Sequence, residues 1–398
     1  MDEFRVIATD EEFADAVGRL AGGHGPIAVD AERASGFRYS QRAYLIQMFR
    51  RDAGTFLFDP PAISDFGPLD AAIRDEEWVL HAASQDLACL REVGLDPTRI
   101  FDTELAARLL GMPRVGLAAV VEELLGIKLA KEHSAADWST RPLPQPWLTY
   151  AALDVELLVD VRDGLAQRLA EAGKAELADQ EFESVLHREA KPPAAEPWRR
   201  LSGIHSLRSG RNLAVARALW QARDARAIEL DTAPGRLVPD ASIVAAARVL
   251  PGTRRALADL REFTGRASRS ELDRWWAAVE EGLATTDLPA TRVPSDAPPP
   301  PRAWAARQPE ADARLKLARA AVSEVAESMG LPVENLLSPD SLRRVAWKPP
   351  ADSSEEGIRA ALAALGARPW QLDATAQIIA AAFVAAAQTL EDASAGDS

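Results

Sequence analysis

Three short stretches place acids where chemistry is conceivable. The apolar run "PIAVDAER" (26–33) ends on Asp30 and Glu32, one residue apart. In a strand, residues i and i+2 share a face, so both carboxylates point the same way. Like charges repel, and more strongly where water is scarce. A solvated strand end or a bound cation relieves the conflict. Asp86 sits near the start of a helix-like segment in "HAASQDLACL" (81–90), and Asp154 lies in "TYAALDVELL" (149–158). Tyr150 precedes Asp154 by four residues, so the two project from one helix face. Singly, each has an ordinary explanation: a wet strand end, an acid placed for the helix dipole, an amphipathic face. Together they fit another need. Hard divalent ions take oxygen ligands, and a two-metal site draws several carboxylates from separate segments.

The elements that must position these acids can be read from pattern. "TDEEFADAVGRL" is a helix opened by a capping box of Thr9 and Glu12. The strand-like runs "IAVDAE", "AYLIQMF" and "TFLFDP" follow at short gaps, with Asp52 and Gly54 in the last gap, and predict a β-meander. A helix near "FGPLDAAIRD", a strand "WVLHA", a helix "SQDLACLREVG" stopped by Gly94, and a short strand "RIFDT" come next. From Asp102 the spacing is helical, ending in one long helix over 144–173. A meander followed by strands alternating with helices predicts a mixed sheet flanked by helices. Pro192, Pro193 and Pro197 mark a linker, beyond which all segments read as helix. A Pro-rich stretch, "TRVPSDAPPPPR", separates the two helical blocks, and the tail from Glu391 is expected to be disordered.

With these motifs in place, the chain resembles the DEDD superfamily of 3′-5′ exonucleases in its tyrosine variant. Within that superfamily it is similar to the bacterial ribonuclease D family. "DAE", "HAASQDLACL", "IFDTELAARLLG", "LAAVVEELLGIKLAKEHSAADWSTRPL" and "YAALDVELLVDVRDGL" carry the likeness over roughly 20–175. The resemblance implies a ribonuclease H-like α/β exonuclease domain over 1–190. An all-α HRDC bundle over 198–289 and an HRDC-like bundle over 304–390 would follow. It implies that Asp30, Glu32, Asp86 and Asp154 ligate two ions, Mg²⁺ or Mn²⁺, which activate a water and stabilise the leaving 3′ oxygen. Tyr150, whose ordinary pKa near 10 makes it a poor base, would orient that water. Nucleoside 5′-monophosphates would leave one at a time from an RNA 3′ end, such as that of a tRNA precursor or another structured RNA. The same chemistry on DNA, or a non-catalytic nucleic-acid-binding role on this fold, are the alternatives. No motif reports on a 2′-hydroxyl.

Lys131, Ser134 and Trp138 fall in a polar stretch bordering the site by resemblance, where Lys131 could meet a phosphate and Trp138 could anchor a loop. His81 ends a strand at the cleft, while His133 lacks the spacing to Asp154 that Tyr150 has. Gln47 and Cys89 read as sheet and core residues. Arg33 stands where the family often has an apolar residue, and bears on how the terminal nucleotide is held.

Composition narrows the classes further. The net charge of −14 argues against polyanion binding by the whole molecule. Residues 198–289, however, hold 15 Arg against 11 acids. Arg208, Arg211, Arg217, Arg254 and Arg255 are therefore candidates for contact with RNA phosphates. The single cysteine, Cys89, allows no intramolecular disulfide and fits a reducing cytoplasm. The N-terminus lacks the pattern of a signal peptide. The longest wholly apolar run, "IIAAAFVAAA", is ten residues, which reads as a buried helix and not a membrane span.

Overall fold

The structure, a computed structural model, describes residues 4–129, 135–189, 192–293 and 296–396, with side chains as far as residue 391. Six strands form one mixed sheet: β1 (Val6–Ile7), β2 (His24–Arg33), β3 (Ala43–Arg51), β4 (Gly54–Phe58), β5 (Glu77–Leu80) and β6 (Arg99–Asp102). Their order is β1-β4-β3-β2-β5-β6. The predicted meander is the antiparallel trio β2-β3-β4, whose last turn places Asp52 and Gly54 at positive φ (63° and 97°). β5 and β6 run parallel to β2, and β1, too short to be read from pattern, pairs parallel with β4.

Both faces of the sheet are covered, and alternation sorts the residues between them. Ile27, Val29, Ile46, Met48, Phe56, Phe58, Trp78 and Leu80 join a core with α1 (Asp10–Gly22), α2 (Gly67–Ile73) and α3 (Leu87–Glu92). Ala28, Leu45, Leu57 and Val79 face the other way, toward α6 (Gln145–Glu156) and α7 (Leu158–Glu171). Asp30 and Glu32, in phase with Ala28, therefore point at α6. The stretch predicted as one helix is two, broken at Leu157 (φ −90°, ψ −11°). The break leaves α6 on β2, β3 and β4 while α7 packs on α4 (Thr103–Leu109) and α5 (Leu117–Leu125). A helix the sequence analysis does not assign, α8 (Ala175–Leu186), packs on β6.

After the linker, α9 (Gly210–Leu230) and a set of shorter helices enclose a separate core around Trp198, Val215, Leu219, Phe263, Trp275 and Val279. Trp275 is fully buried and Trp276 partly exposed. Gly282 lets the helix Leu272–Ala284 close on α9, since a Cβ there would lie 2.5 Å from Val215 Cα.

The last helical block behaves differently: it shares one continuous core with the sheet domain. Gly111 (φ +69°) abuts the Gly330 carbonyl, which a Cβ would meet at 2.5 Å. Across this seam Arg368 makes a bidentate pair with Glu181 (2.6 and 2.7 Å), and Trp370 Nε1 donates to the same carboxylate at 2.9 Å. The helix Pro369–Gly396 carries the run "IIAAAFVAAA" and packs along the helix Pro309–Ser328. Its stretch Pro369–Glu391 is long and apolar enough to cross a membrane by length and composition. Here Trp370, Ala376, Ile379 and Phe383 are buried in the protein core instead. Its backbone stays helical to Gly396, beyond the point where disorder is expected, because this Ala-rich end holds no breaker before Gly396.

Glu181 accepts from three N–H groups at a largely buried seam, so its loss leaves two guanidinium N–H groups and an indole N–H without their acceptor. Glu181→Ala should lower unfolding free energy by about 2–4 kcal/mol in chemical denaturation. Adding Arg368→Ala should restore part of that loss, and a neutral Glu181→Ala would contradict this account of the seam.

Candidate active site

One cleft of about 560 Å³ is lined by Asp30, Glu32, Arg33, His81, Asp86, Tyr150 and Asp154. It opens on the sheet face that meets α6. Asp30 and Glu32 come from β2, Asp86 from the turn before α3, and Tyr150 and Asp154 from consecutive turns of α6. Carboxylate oxygens of Asp30, Glu32 and Asp154 lie within 4.8 Å of one another. Asp86 stands across from them on the same cleft.

Each position has a local cause. Asp30 is paired across the ladder with Gln47, whose side-chain amide donates to the Asp30 carboxylate at 3.4 Å. Asp86 sits at the N-terminus of α3 but does not spend its side chain on a cap. The turn before it includes Ala82 in the left-handed region (φ 63°), uncommon for a residue with a Cβ. Asp102 holds that turn: its buried carboxylate accepts from the backbone N–H of Ala82 (3.1 Å), Ala83 (2.8 Å), Glu104 (2.9 Å) and Leu105 (3.1 Å). Tyr150 stands one helical turn from Asp154, close enough for the carboxylate to act on the phenol. Its ring packs beside Trp138, centroids 6.5 Å apart, and Trp138 is itself fully buried against Trp147. Trp138 is thus the loop's core anchor.

Strict alternation would turn Arg33 to the opposite face from Glu32. The β2–β3 ladder slips there, however: Glu32 faces Leu45 and Arg33 faces Ala43. Regular pairing thus breaks at the end of β2, with the extra residue, Tyr44, on β3, and Arg33 lines the cleft with its guanidinium 3.9 Å from Asp86. His81 accepts or donates at Nδ1 to the Thr103 hydroxyl (2.8 Å), and burial pushes its imidazole down to about 4, so it is neutral near pH 7.

The electrostatics are those of a cation site. Burial, reinforced by the charge of Asp30, pushes Asp154 up to about 7 and Asp86 up to about 8. Burial and then the charges of Asp30, Asp154 and Asp86 push Glu32 up to about 10. Asp30 is raised as well, by burial. Tyr150 is raised by burial and by Asp154, so its phenol keeps its proton. Four hard oxygen donors whose charges oppose one another fit divalent cations, with Arg33 the one Lys or Arg lining the cleft among the described residues.

Other candidates stand apart. Lys131, His133 and Ser134 lie outside the described residues. Arg208 is exposed on the helical bundle. Arg211 and Arg217, candidates for contact with RNA phosphates, make hydrogen bonds within the bundle. Arg211 donates to the carbonyls of Gly282 (3.1 Å) and Thr285 (2.7 Å), and Arg217 to the Asp287 side chain (2.9 Å) and carbonyl (2.7 Å). Carbonyls at a helix C-terminus need donors, and Arg211 supplies them at the end of the helix Leu272–Ala284, while Arg217 holds the turn that follows. Arg254 is paired with Asp273 and Arg255 with Asp259. Cys89 is buried with its thiol pushed up to about 12 by burial, an unreactive core residue. Gln47, read from sequence as a sheet residue, also supports Asp30, and Asp102 is a supporting residue that the sequence pattern did not single out. Asp102 left a trace, since Asp-Thr-Glu after a strand is a helix-cap signature.

Comparison with known proteins places the chain's segments in known families. The 3′-5′ exonuclease family matches residues 4–170, the HRDC domain 212–279, and the 3′ to 5′ exonuclease C-terminal domain 297–383. The chain is similar to a ribonuclease D of Pseudomonas paraeruginosa, 33% identical over 71% of this chain and 73% of the relative. A solved structure of a protein from Bifidobacterium adolescentis has a TM-score of 0.89 at 38% identity, covering 96% of this chain and 97% of that one. The Escherichia coli RNase D structure, described as an exoribonuclease involved in structured RNA processing, has a TM-score of 0.67 at 28% identity over 88% and 92%.

Because the site carboxyls bind protons more tightly folded than unfolded, their stabilising effect is full below about pH 4 and fades as pH rises through about 7, 8 and 10. Metal-free protein should lose Tm between roughly pH 5.5 and roughly pH 8.5. Mn²⁺ should raise Tm more at the higher pH. Glu32→Gln should stabilise the metal-free protein by about 0.5–2 kcal/mol and blunt the Mn²⁺ effect. Thermal melts with and without EDTA read all three. A Tm indifferent to metal at both pH values would rule out a cation site here.

Proposed function

We infer the reaction from one premise: the chain belongs to the ribonuclease D family and is a 3′-5′ exoribonuclease. What carries the detailed reading is the convergence of Asp30, Glu32, Asp86 and Asp154 in one desolvated cleft. We assign these four to two divalent ions, Mg²⁺ or Mn²⁺, and Tyr150 to orienting the attacking water. When bound, such ions supply Lewis-acid stabilisation of phosphate charge and lower the pKa of water. Everything else falls to the chain. The raised phenol of Tyr150, anchored by Asp154 and Trp138, is a fixed donor and not a base. Leu117, Ala136 and Leu158 give the cleft an apolar wall against which a terminal base can rest. Arg33, which lines the cleft, is assigned to a phosphate near the 3′ end. His81, neutral and bonded to Thr103, is assigned to the wall. Hydrolysis then releases nucleoside 5′-monophosphates singly.

Structured RNA 3′ ends, tRNA precursors among them, are the proposed substrates. The Escherichia coli relative is described in those terms. The HRDC segment's excess of Arg over acids supports sequence-independent phosphate contact, with exposed Arg208 as a candidate. We divide the chain into a nuclease domain (1–190), an HRDC domain (198–289) and a C-terminal helical domain (304–390), and place it in the cytoplasm.

The test is cleavage of a 3′-extended tRNA and of single-stranded DNA of equal length, each with Mg²⁺, Mn²⁺ or EDTA and products resolved to single nucleotides. A metal-dependent ladder shrinking from the RNA 3′ end is expected. Asp154→Asn should cut kcat by about 10³-fold or more with the fold intact, and Tyr150→Phe by about 10–100-fold. Arg33→Ala should raise KM roughly tenfold. Full activity in Asp154→Asn would sink the ligand assignment, and faster loss of DNA would sink the substrate assignment.

A further inference from the structure

The β2–β3 connection, residues 34–42, leaves the active-site strand directly after Arg33 and is held from two sides. On one side is the HRDC bundle. Asp231 ends α9 in the left-handed region (φ 43°, ψ 49°), a conformation that Asp adopts more readily than most residues. Its carboxylate accepts from Ser40 N–H at 2.9 Å and from the Tyr44 hydroxyl at 3.1 Å, and lies 3.9 Å from the Arg42 guanidinium. Asp224, two turns earlier on α9, accepts from the Tyr39 hydroxyl at 3.1 Å. Ala233 N–H donates to the Phe37 carbonyl (3.0 Å) and Arg236 Nε to the Gly36 carbonyl (2.7 Å), with the Arg236 guanidinium 4.0 Å above the Phe37 ring. Tyr39 packs on the bundle's own core.

On the other side is the segment that leads into α6. Arg38 Nε donates to Ser139 Oγ (2.8 Å), and Arg141 donates to the Tyr44 carbonyl (2.7 Å) while paired with Asp59. Four residues beyond Arg141, α6 begins. Ala34, Phe37 and Tyr44 belong to the same buried cluster as Trp138, Leu148 and Tyr150. Tyr44 is therefore a junction: its hydroxyl goes to the HRDC bundle, its carbonyl to the approach to α6. It is also the extra residue at the register slip beside Arg33.

We propose that the HRDC bundle is part of the scaffold of the nuclease site, with Asp231 as the positioning residue that seats it on the β2–β3 connection. Through Ser40 and Tyr44 it steadies the end of β2, where Glu32 and Arg33 stand, and the entry to α6, which carries Tyr150 and Asp154. The bundle then contributes to turnover itself, apart from any hold it has on RNA. This rests on the exoribonuclease reading above.

Two full-length variants test it: Asp231→Asn, which keeps a residue suited to the left-handed turn, and Tyr44→Phe, which deletes a single hydrogen bond. Single-turnover cleavage of a tetranucleotide RNA is measured at saturating enzyme, where weaker RNA binding is compensated. Amide hydrogen exchange of residues 34–44 is followed in parallel. The expected result is a five- to twenty-fold fall in the saturated rate, on the order of 1–2 kcal/mol. Faster exchange of 34–44 should accompany it, with the bundle's core amides still protected. An unchanged saturated rate, with the defect confined to KM on long RNA, overturns the proposal and leaves the bundle as an RNA tether. Unchanged exchange overturns the role of Asp231. Wild-type protein that cleaves neither the tetranucleotide nor a longer RNA overturns the exoribonuclease reading, and with it the catalytic half of this proposal.

Discussion

Four buried or half-buried carboxyl groups share one cleft, and their mutual repulsion is the constraint to which the rest of the nuclease domain answers. Left to themselves such groups would separate or take up protons, and the upward displacement of Glu32, Asp86 and Asp154 measures that tendency. They stay together because each is mounted on an element buried for other reasons. β2 is the interior strand of a sheet covered on both faces, and Ile27, Ala28 and Val29 are wholly enclosed. α6 is packed on β2, β3 and β4 through Leu148, Ala151, Ala152 and Val155. Apolar burial, at about 25 cal/mol per Å², is what opposes the repulsion. Strain of this kind is a common feature of functional sites, where stability is exchanged for a poised arrangement of charge.

The supporting residues show how that arrangement is kept to one geometry. Asp102 fastens the turn that delivers Asp86 by accepting four backbone N–H groups. Gln47 reaches Asp30 from the neighbouring strand, and Trp138 braces Tyr150. Beside the register slip at Glu32, Arg33 brings a cation to a cleft otherwise lined with acids. These residues act on the site through hydrogen bonds and packing, and several lie far from it in sequence.

The two helical blocks relate to the sheet domain in different ways. The last block continues the nuclease core through the Glu181–Arg368–Trp370 seam and the close approach of Gly111 to Gly330. The HRDC bundle keeps its own core and meets the nuclease at the β2–β3 connection mainly through polar contacts, with Tyr39 packed on the bundle's core. A large apolar seam makes the first association part of folding, whereas a polar one resembles a docked interface. Several of the bundle's arginines are occupied in holding that bundle together, so its positive balance overstates the number of cations available to a phosphate chain.

What the sequence determined by itself is whatever depends on periods of two and 3.6 and on local turn chemistry. That covers the meander, the Thr9–Glu12 cap, the shared face of Asp30 and Glu32, the pairing of Tyr150 with Asp154, and the proline-marked linkers. The motif set also carried the family. Other features were decided by tertiary structure. The two-residue strand β1 exists only because β4 offers it a partner, and the break at Leu157 follows from packing on different neighbours. Arg33 reaches the cleft beside a slip in pairing with a strand ten residues on, and Arg211 and Arg217 are drawn to carbonyls seventy or more residues away. Strict alternation in one strand cannot reveal a bulge in its partner, and net charge cannot say which guanidinium already has an acceptor. Both depend on distances between segments, which only the folded chain sets.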